Sequence, residues 1–184
     1  MLKKLKKINH LIKKKYTYQL LENGFSSSDI AIGKKVLASK RITMASYTRN
    51  FENSFAKKLG VSHALMVNSG SSANLLAVFA AGNLLRKNRL KMNDEVLIPV
   101  LCWSTSLWPL VQFGLKPKFV DIDLKTLNIN IHDMKKKISK KTKAIMLINV
   151  LGNSSDLFQI KKIAKKHKLI IIEDNCESLG SKLN

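Results

Sequence analysis

The apolar positions of this chain change their rhythm near residue 60. Up to that point they recur at helical spacing; beyond it, short apolar runs alternate with helical stretches. Leu2, Leu5, Ile8, Leu11, Ile12 and Tyr16 share one face of a basic segment, 1–24, predicting a surface helix docked by its apolar stripe. The same pattern would suit a helix lying on an anionic membrane, the less economical reading. Ser26-Ser27-Ser28 offers an N-cap for a helix over about 29–39. A second amphipathic helix is expected over 47–59, stopped by Gly60 at a normal C′ position.

From there the pattern is an α/β alternation. Strands are expected over 64–67, 95–99, 118–121, 144–150 and 169–173, with a short extended piece over 127–131. Helices are expected over 72–86, 105–113, 132–138 and 157–167, the last capped from Ser154-Ser155-Asp156. Strands separated by helices at this spacing predict a three-layer α/β/α fold with a mostly parallel sheet covered on both faces. No internal repeat or low-complexity linker interrupts it, so 26–184 reads as one domain behind a basic N-terminal extension, 1–25.

In such sheets ligands sit at the carboxyl ends of the strands. The corner Asn68-Ser69-Gly70-Ser71-Ser72 turns an apolar run into a helix. The free N–H groups at that helix start, the positive end of its dipole and the hydroxyls of Ser71 and Ser72 suit a phosphate group. A plain Ser-capped helix is the bland alternative. The other strand ends supply a large flat aromatic (Trp103), a polar loop (149–153) and two carboxylates, Asp174 and Glu177. A phosphorylated planar heteroaromatic such as pyridoxal phosphate would use all of them. Asp174 capping a turn and Trp103 filling a core are the structural alternatives. No G-x-x-x-x-G-K-[ST], G-x-G-x-x-G or G-x-S-x-G motif is present, so nucleoside triphosphate, dinucleotide and serine-hydrolase readings lack their fingerprints.

Composition narrows the partners. The 184 residues are 45% apolar and 24% charged, a globular balance, yet the net charge is +21. Only four of the basic residues are Arg (Arg41, Arg49, Arg86, Arg89), and the Lys are spread in short runs without interleaved aromatics. That favours a lysine-biased solvated surface over a nucleic-acid site, so neither nucleic acid nor membrane is an expected partner. Cys102 and Cys176 lack metal-type spacing, and no metal site is expected. With no run of transmembrane length and no signal-peptide core, the cytoplasm is the expected compartment.

Four segments in register carry a family resemblance covering about 29–183. They are Ser69-Gly70-Ser71-Ser72-Ala73-Asn74, Pro99-Val100-Leu101-Cys102-Trp103-Ser104-Thr105, Phe119-Val120-Asp121-Ile122-Asp123 with Leu127-Asn128-Ile129, and Glu173-Asp174-Asn175-Cys176-Glu177-Ser178-Leu179-Gly180. The chain resembles the DegT/DnrJ/EryC1/StrS sugar aminotransferase family, which implies the large domain of a fold-type I, pyridoxal 5′-phosphate-dependent transferase. By that resemblance Gly70, Ser71 and Ser72 hold the phosphate and Trp103 covers the cofactor ring. Asp174 keeps the pyridine nitrogen protonated, and Glu177 bonds the ring hydroxyl.

Trp103-Ser104-Thr105, Asn149-Val150-Leu151-Gly152-Asn153 and Asp174-Asn175-Cys176-Glu177 are more similar to the 3-dehydratase branch, typified by enzymes acting on GDP-4-keto-6-deoxymannose. Ordinary aminotransferases usually show Ala-Ala-Gln or Ala-Ala-His after the acid. The branch implies the pyridoxamine 5′-phosphate form, a nucleotide-linked 4-keto-6-deoxysugar as substrate, glutamate as amino donor, a homodimer, and a 3,6-dideoxysugar product for surface polysaccharide. Sugar transamination is the alternative within the family. An inactive remnant or a basic polyanion-binding module is the alternative outside it. The family's catalytic Lys, or the His replacing it, lies on a strand beyond Asn184, so no residue here is assigned that role. This chain is therefore expected to be an incomplete domain, the N-terminal part of the enzyme, poorly stable and inactive alone. Ala45 stands where the family commonly has Gly, a departure that bears on the shape of the N-terminal loop.

Overall fold

A computed structural model describes residues 24–43 and 45–183. Residues 1–23 of the amphipathic segment expected over 1–24 lie outside the described residues. The chain divides between Met66 and Val67 into two units.

The first unit contains α1 (Ser27–Ala38) and α2 (Ser46–Leu59). Ser26 and Asp29 form a reciprocal capping box at the start of α1. Helix α2 begins from Ala45, which gives no side-chain cap, and ends at Gly60 with φ +68°. The strand expected over 64–67 is not formed. Its residues join no ladder, and Leu65 is 76% exposed. A strand needs a neighbour for its N–H and C=O groups and a face to bury, and these residues have neither. The one fixed point in the stretch is the Met66 N–H, which donates to the Glu52 carboxylate at 2.8 Å.

The second unit is a parallel sheet with helices on both faces. Its elements are α3 (Gly70–Ala81), β1 (Glu95–Pro99), α4 (Ser104–Gln112), β2 (Lys116–Val120), α5 (Ile131–Lys137), β3 (Thr142–Ile148), α6 (Leu157–His167) and β4 (Ile170–Asp174). The strand order is β2-β1-β3-β4, and every pairing is parallel. Successive side chains of a strand point to opposite faces, and the two cores follow that alternation. Val96, Ile98, Ala144, Met146 and Ile148 pack with Val78, Ala81 and Leu110 of α3 and α4. Leu97, Ile145 and Leu147 pack on the other face with Met134, Ile160, Ile163 and Ala164 of α5 and α6. Each fully buried Leu, Ile or Met contributes about 1.5–3 kcal/mol by leaving water. The three layers expected from the alternation are therefore present.

Boundaries moved in one helix. The helix expected over 72–86 ends at Ala81, with Gly82 as its C-cap, where the Phe113 ring packs against the chain. A Cβ at Gly82 would sit 2.0 Å from that ring, and Phe113 also meets Phe79 edge-on at 5.1 Å between centroids. The extended piece at 127–131 forms only an isolated antiparallel bridge, Ile122 with Ile129. The edges of the described sheet differ: β2 carries Lys116, Pro117 and Lys118, while β4 carries Ile170, Ile171 and Ile172.

Candidate functional site

The carboxyl ends of β1, β3 and β4 open onto one cleft of about 160 Å³, lined by Cys102, Trp103, Ser106, Asp174, Cys176 and Glu177 among others. Asp174 is the last residue of β4 and is 9% exposed. Its Oδ2 accepts from the Asn74 amide at 2.8 Å and the Ser106 hydroxyl at 2.9 Å, while Oδ1 accepts the Cys176 N–H at 3.1 Å. The contact to its own loop is the turn-capping role that a plain structural Asp would have. The contacts from α3 and α4, distant in sequence, are not. Burial pushes the carboxyl up, but these donors outweigh it and hold the group below its ordinary value. Asp174 is therefore a buried, ionised carboxylate. Burial and the adjacent Asp174 charge push the Cys102 and Cys176 thiols up, so both stay protonated at neutral pH.

Trp103 is the N-cap of α4 and is 76% exposed at the mouth of this cleft, which rules out a core role. Glu177 lines the same cleft, and its Oε2 accepts the Leu151 N–H at 2.7 Å. Leu151 takes a left-handed φ of +52° inside the turn Val150–Gly152. That turn is held by an amide network from the polar loop. Asn128 accepts the Val150 N–H at 3.0 Å, and Asn149 donates to Glu173 and Asn175, each at 2.7 Å.

Gly70, Ser71 and Ser72 open α3. Ser69 is the cap and takes the Ser72 N–H at 3.2 Å, leaving the N–H groups of Gly70 and Ser71 without a carbonyl in their helix. Ser71 and Ser72 do not line the Asp174 cleft. They line a second one of about 270 Å³ with Thr105 and Trp108, where the first turn of α4 meets them. Neither α3 nor α4 has an acid in its first turn, and α4 has no side-chain cap, so the start of α3 faces the flank of α4 there with no carboxylate of its own. Gly70 lets the start of α3 approach the loop after β4 closely: a Cβ on it would lie 2.7 Å from the Cys176 sulfur.

Sequence reasoning missed two polar anchors, Asn74 and Ser106, 7% and 0% exposed. Both lie on buried helix faces otherwise apolar (Asn74 with Val78 and Ala81, Ser106 with Pro109 and Leu110), and that mismatch was the available signal.

The residues fit the cofactor expected from the sequence. A carboxylate has about four lone-pair sites; three strong donors occupy three on Asp174, and only the weak S–H of Cys176 competes for the fourth. An exposed aromatic and an anion-accepting helix start stand beside it. Among the described residues no cluster of His, Cys, Asp or Glu could hold a metal, and no helix is long and apolar enough to cross a membrane.

Comparison with known proteins agrees with this geometry. The chain is 44% identical over 91% of its length to GDP-4-keto-6-deoxy-D-mannose 3-dehydratase of Escherichia coli O55:H7, and it spans 43% of that relative. It matches a solved structure of GDP-4-keto-6-deoxymannose-3-dehydratase with a trapped PLP-glutamate geminal diamine (TM-score 0.85, 42% identity, 91% of this chain and 43% of that one). A mutant of GDP-4-keto-6-deoxymannose-3-dehydratase with bound GDP-perosamine gives a TM-score of 0.86 at 43% identity, over the same shares. The DegT/DnrJ/EryC1/StrS aminotransferase family pattern covers residues 25–184, and the chain belongs to that family.

Proposed function

We propose that this chain, over 26–184, supplies the cofactor-gripping part of the large domain of a cytoplasmic sugar-modifying enzyme. The reaction is removal of the 3-hydroxyl from a GDP-linked 4-keto-6-deoxysugar, giving a 3,6-dideoxysugar for surface polysaccharide, with glutamate as amino donor and a homodimer as the working assembly. The observation that carries the reading is the Asp174 carboxylate, ionised and aimed by Asn74 and Ser106 from two helices. Pyridoxamine 5′-phosphate, when bound, supplies the amine and the electron-withdrawing ring on which loss of the hydroxyl depends. Asp174 uses its remaining lone pair to keep a proton on the pyridine nitrogen. Glu177, with one oxygen committed to the Leu151 N–H, has the other available for the ring hydroxyl. Trp103 covers the ring face and excludes water. The hydroxyls of Ser71 and Ser72 and the N–H groups of Gly70 and Ser71 hold the phosphate. The 3-dehydratase reading rests on the 44% identity to that class and on the Asn175-Cys176-Glu177 sequence after the acid.

The test is to titrate the native gene product with pyridoxamine 5′-phosphate, then supply GDP-4-keto-6-deoxymannose and glutamate and read the sugar by mass spectrometry. A product without its 3-hydroxyl and without a new amine is expected. A 4-amino sugar would make the enzyme a transaminase, and no cofactor absorbance would sink the whole reading.

A further inference from the structure

The amino ends of the strands carry a second feature, unrelated to the cofactor cleft. Lys87, Arg89, Lys91, Lys143, His167 and Lys168 line a concave site of about 390 Å³, closed by the amino end of β4 at Ile170. It lies at the opposite end of β4 from Asp174, roughly 13 Å away along a five-residue strand.

Five permanent cations face this cavity against one carboxylate, Asp94, whose Oδ2 is engaged by the Lys91 N–H at 2.8 Å. Among the described residues only two ion pairs form, Lys118 with Glu95 and Lys137 with Asp133, and neither involves these cations. Arg89 is half-buried, and its guanidinium reaches only the Leu84 carbonyl, at 3.3 Å. A half-buried guanidinium without a carboxylate is a group with unspent bidentate capacity. Lys168 adds its charge from the C-cap of α6 at a left-handed φ of +56°, a place where Gly is the easier residue. Like charges gathered in a concavity repel one another and focus a positive potential, which a compact multivalent anion relieves.

We infer that this cavity is a binding site for a di- or triphosphate group, a recognition site separate from the cofactor's phosphate. Concavity favours a small polyphosphate over a flat membrane or a duplex, since the cations line one pocket; Lys143, whose Nζ donates to the Lys140 carbonyl at 3.0 Å, contributes its charge from the rim. Arg89 binds it through paired N–H donors, and Lys87, Lys91, Lys143 and Lys168 neutralise it as point charges.

Isothermal titration of the full-length protein saturated with pyridoxamine 5′-phosphate, so that the start of α3 is already filled, with inorganic pyrophosphate tests this, with sulfate as the control anion and Lys135→Gln/Lys136→Gln, at the exposed end of α5, as the charge-matched control protein. Pyrophosphate is expected to bind one equivalent at least about tenfold more tightly than sulfate. Lys91→Gln/Lys143→Gln should weaken it at least about tenfold, and the control pair less than about twofold. The Gln variants keep the apolar stems, and Lys168→Gln on its own serves if the double variant unfolds. Several equivalents, an affinity no better than for sulfate, or equal losses in both double variants would mean diffuse surface attraction and overturn the proposal.

Discussion

Two helices of the sheet unit start from nearly the same chemistry and use it differently. Helix α6 opens after Ser154-Ser155-Asp156, and Asp156 takes both the backbone N–H of Gln159 at 3.0 Å and its side-chain amide at 2.6 Å. Helix α3 opens after Asn68-Ser69 with a neutral cap and no acid in its first turn. α1 and α5 resemble α6, with Asp29 and Asp133 in their first turns. These three helices neutralise their own positive ends with a carboxylate held below its ordinary value, in each case by hydrogen bonds. α3 brings no acid of its own, and neither does the adjacent α4. A capping sequence therefore becomes a binding site when it satisfies backbone donors without bringing a negative charge of its own.

The comparison can be broken in several ways, beginning with the largest effect. Asp174→Ala should lower pyridoxamine 5′-phosphate affinity by about a hundredfold or more, because it removes the charge beside the ring nitrogen. Asp156→Ala should leave that affinity within about twofold while costing about 1 kcal/mol of stability, the usual loss at a cap. Cofactor titration and urea unfolding of both variants separate these outcomes, and equal affinity losses would erase the distinction.

Asn74→Ala comes next. It strips a donor from a buried carboxylate and should cost about 1–3 kcal/mol in urea unfolding. It should also move the acid limb of stability. Asp174 in the folded protein is held below its ordinary value, so its contribution is present above the unfolded value and is lost as pH falls through the folded one. Without Asn74 the folded value rises, and the loss should begin at a higher pH. An unchanged acid limb would assign Asn74 to packing alone.

Ser71→Asp gives the smallest change in stability and the sharpest contrast. A carboxylate in the open first turn of α3 should stabilise the protein by about 0.3–1 kcal/mol, as Asp does in α5 and α6. It should also abolish retention of the cofactor's phosphate. Thermal unfolding and cofactor titration of this one variant should move in opposite senses, and a variant that binds cofactor normally would place the phosphate elsewhere.

Much of this was legible before any coordinates. The two hydrophobic rhythms located every described helix and four of the five expected strands; the elements of the sheet unit each bury residues that are close in sequence, while α1, which buries none, was marked by its Ser26 cap. The segment at 64–67 failed for the converse reason: apolar composition marks a strand, but only a neighbour makes one. The requirement for glycine at the cap of that helix comes from the Phe113 ring, distant in sequence, which local pattern does not report. Trp103, Asp174 and Glu177 were found from their places at strand ends and do share a cleft. What escaped was the pair holding Asp174 in position. Asn74 and Ser106 read as ordinary helix residues until the hundred-residue contact from Asn74 to Asp174 is drawn.

The unequal edges of the sheet bear on how the protein behaves in concentrated solution. Pro117 lacks an N–H and its flanking lysines repel a second copy, so β2 is a poor template for further pairing. Three consecutive isoleucines on β4 form the opposite kind of border, apolar, β-branched and without a proline. The β2 edge is thus protected against strand exchange, whereas the β4 isoleucines are committed to the two cores, Ile170 and Ile172 on one face and Ile171 on the other.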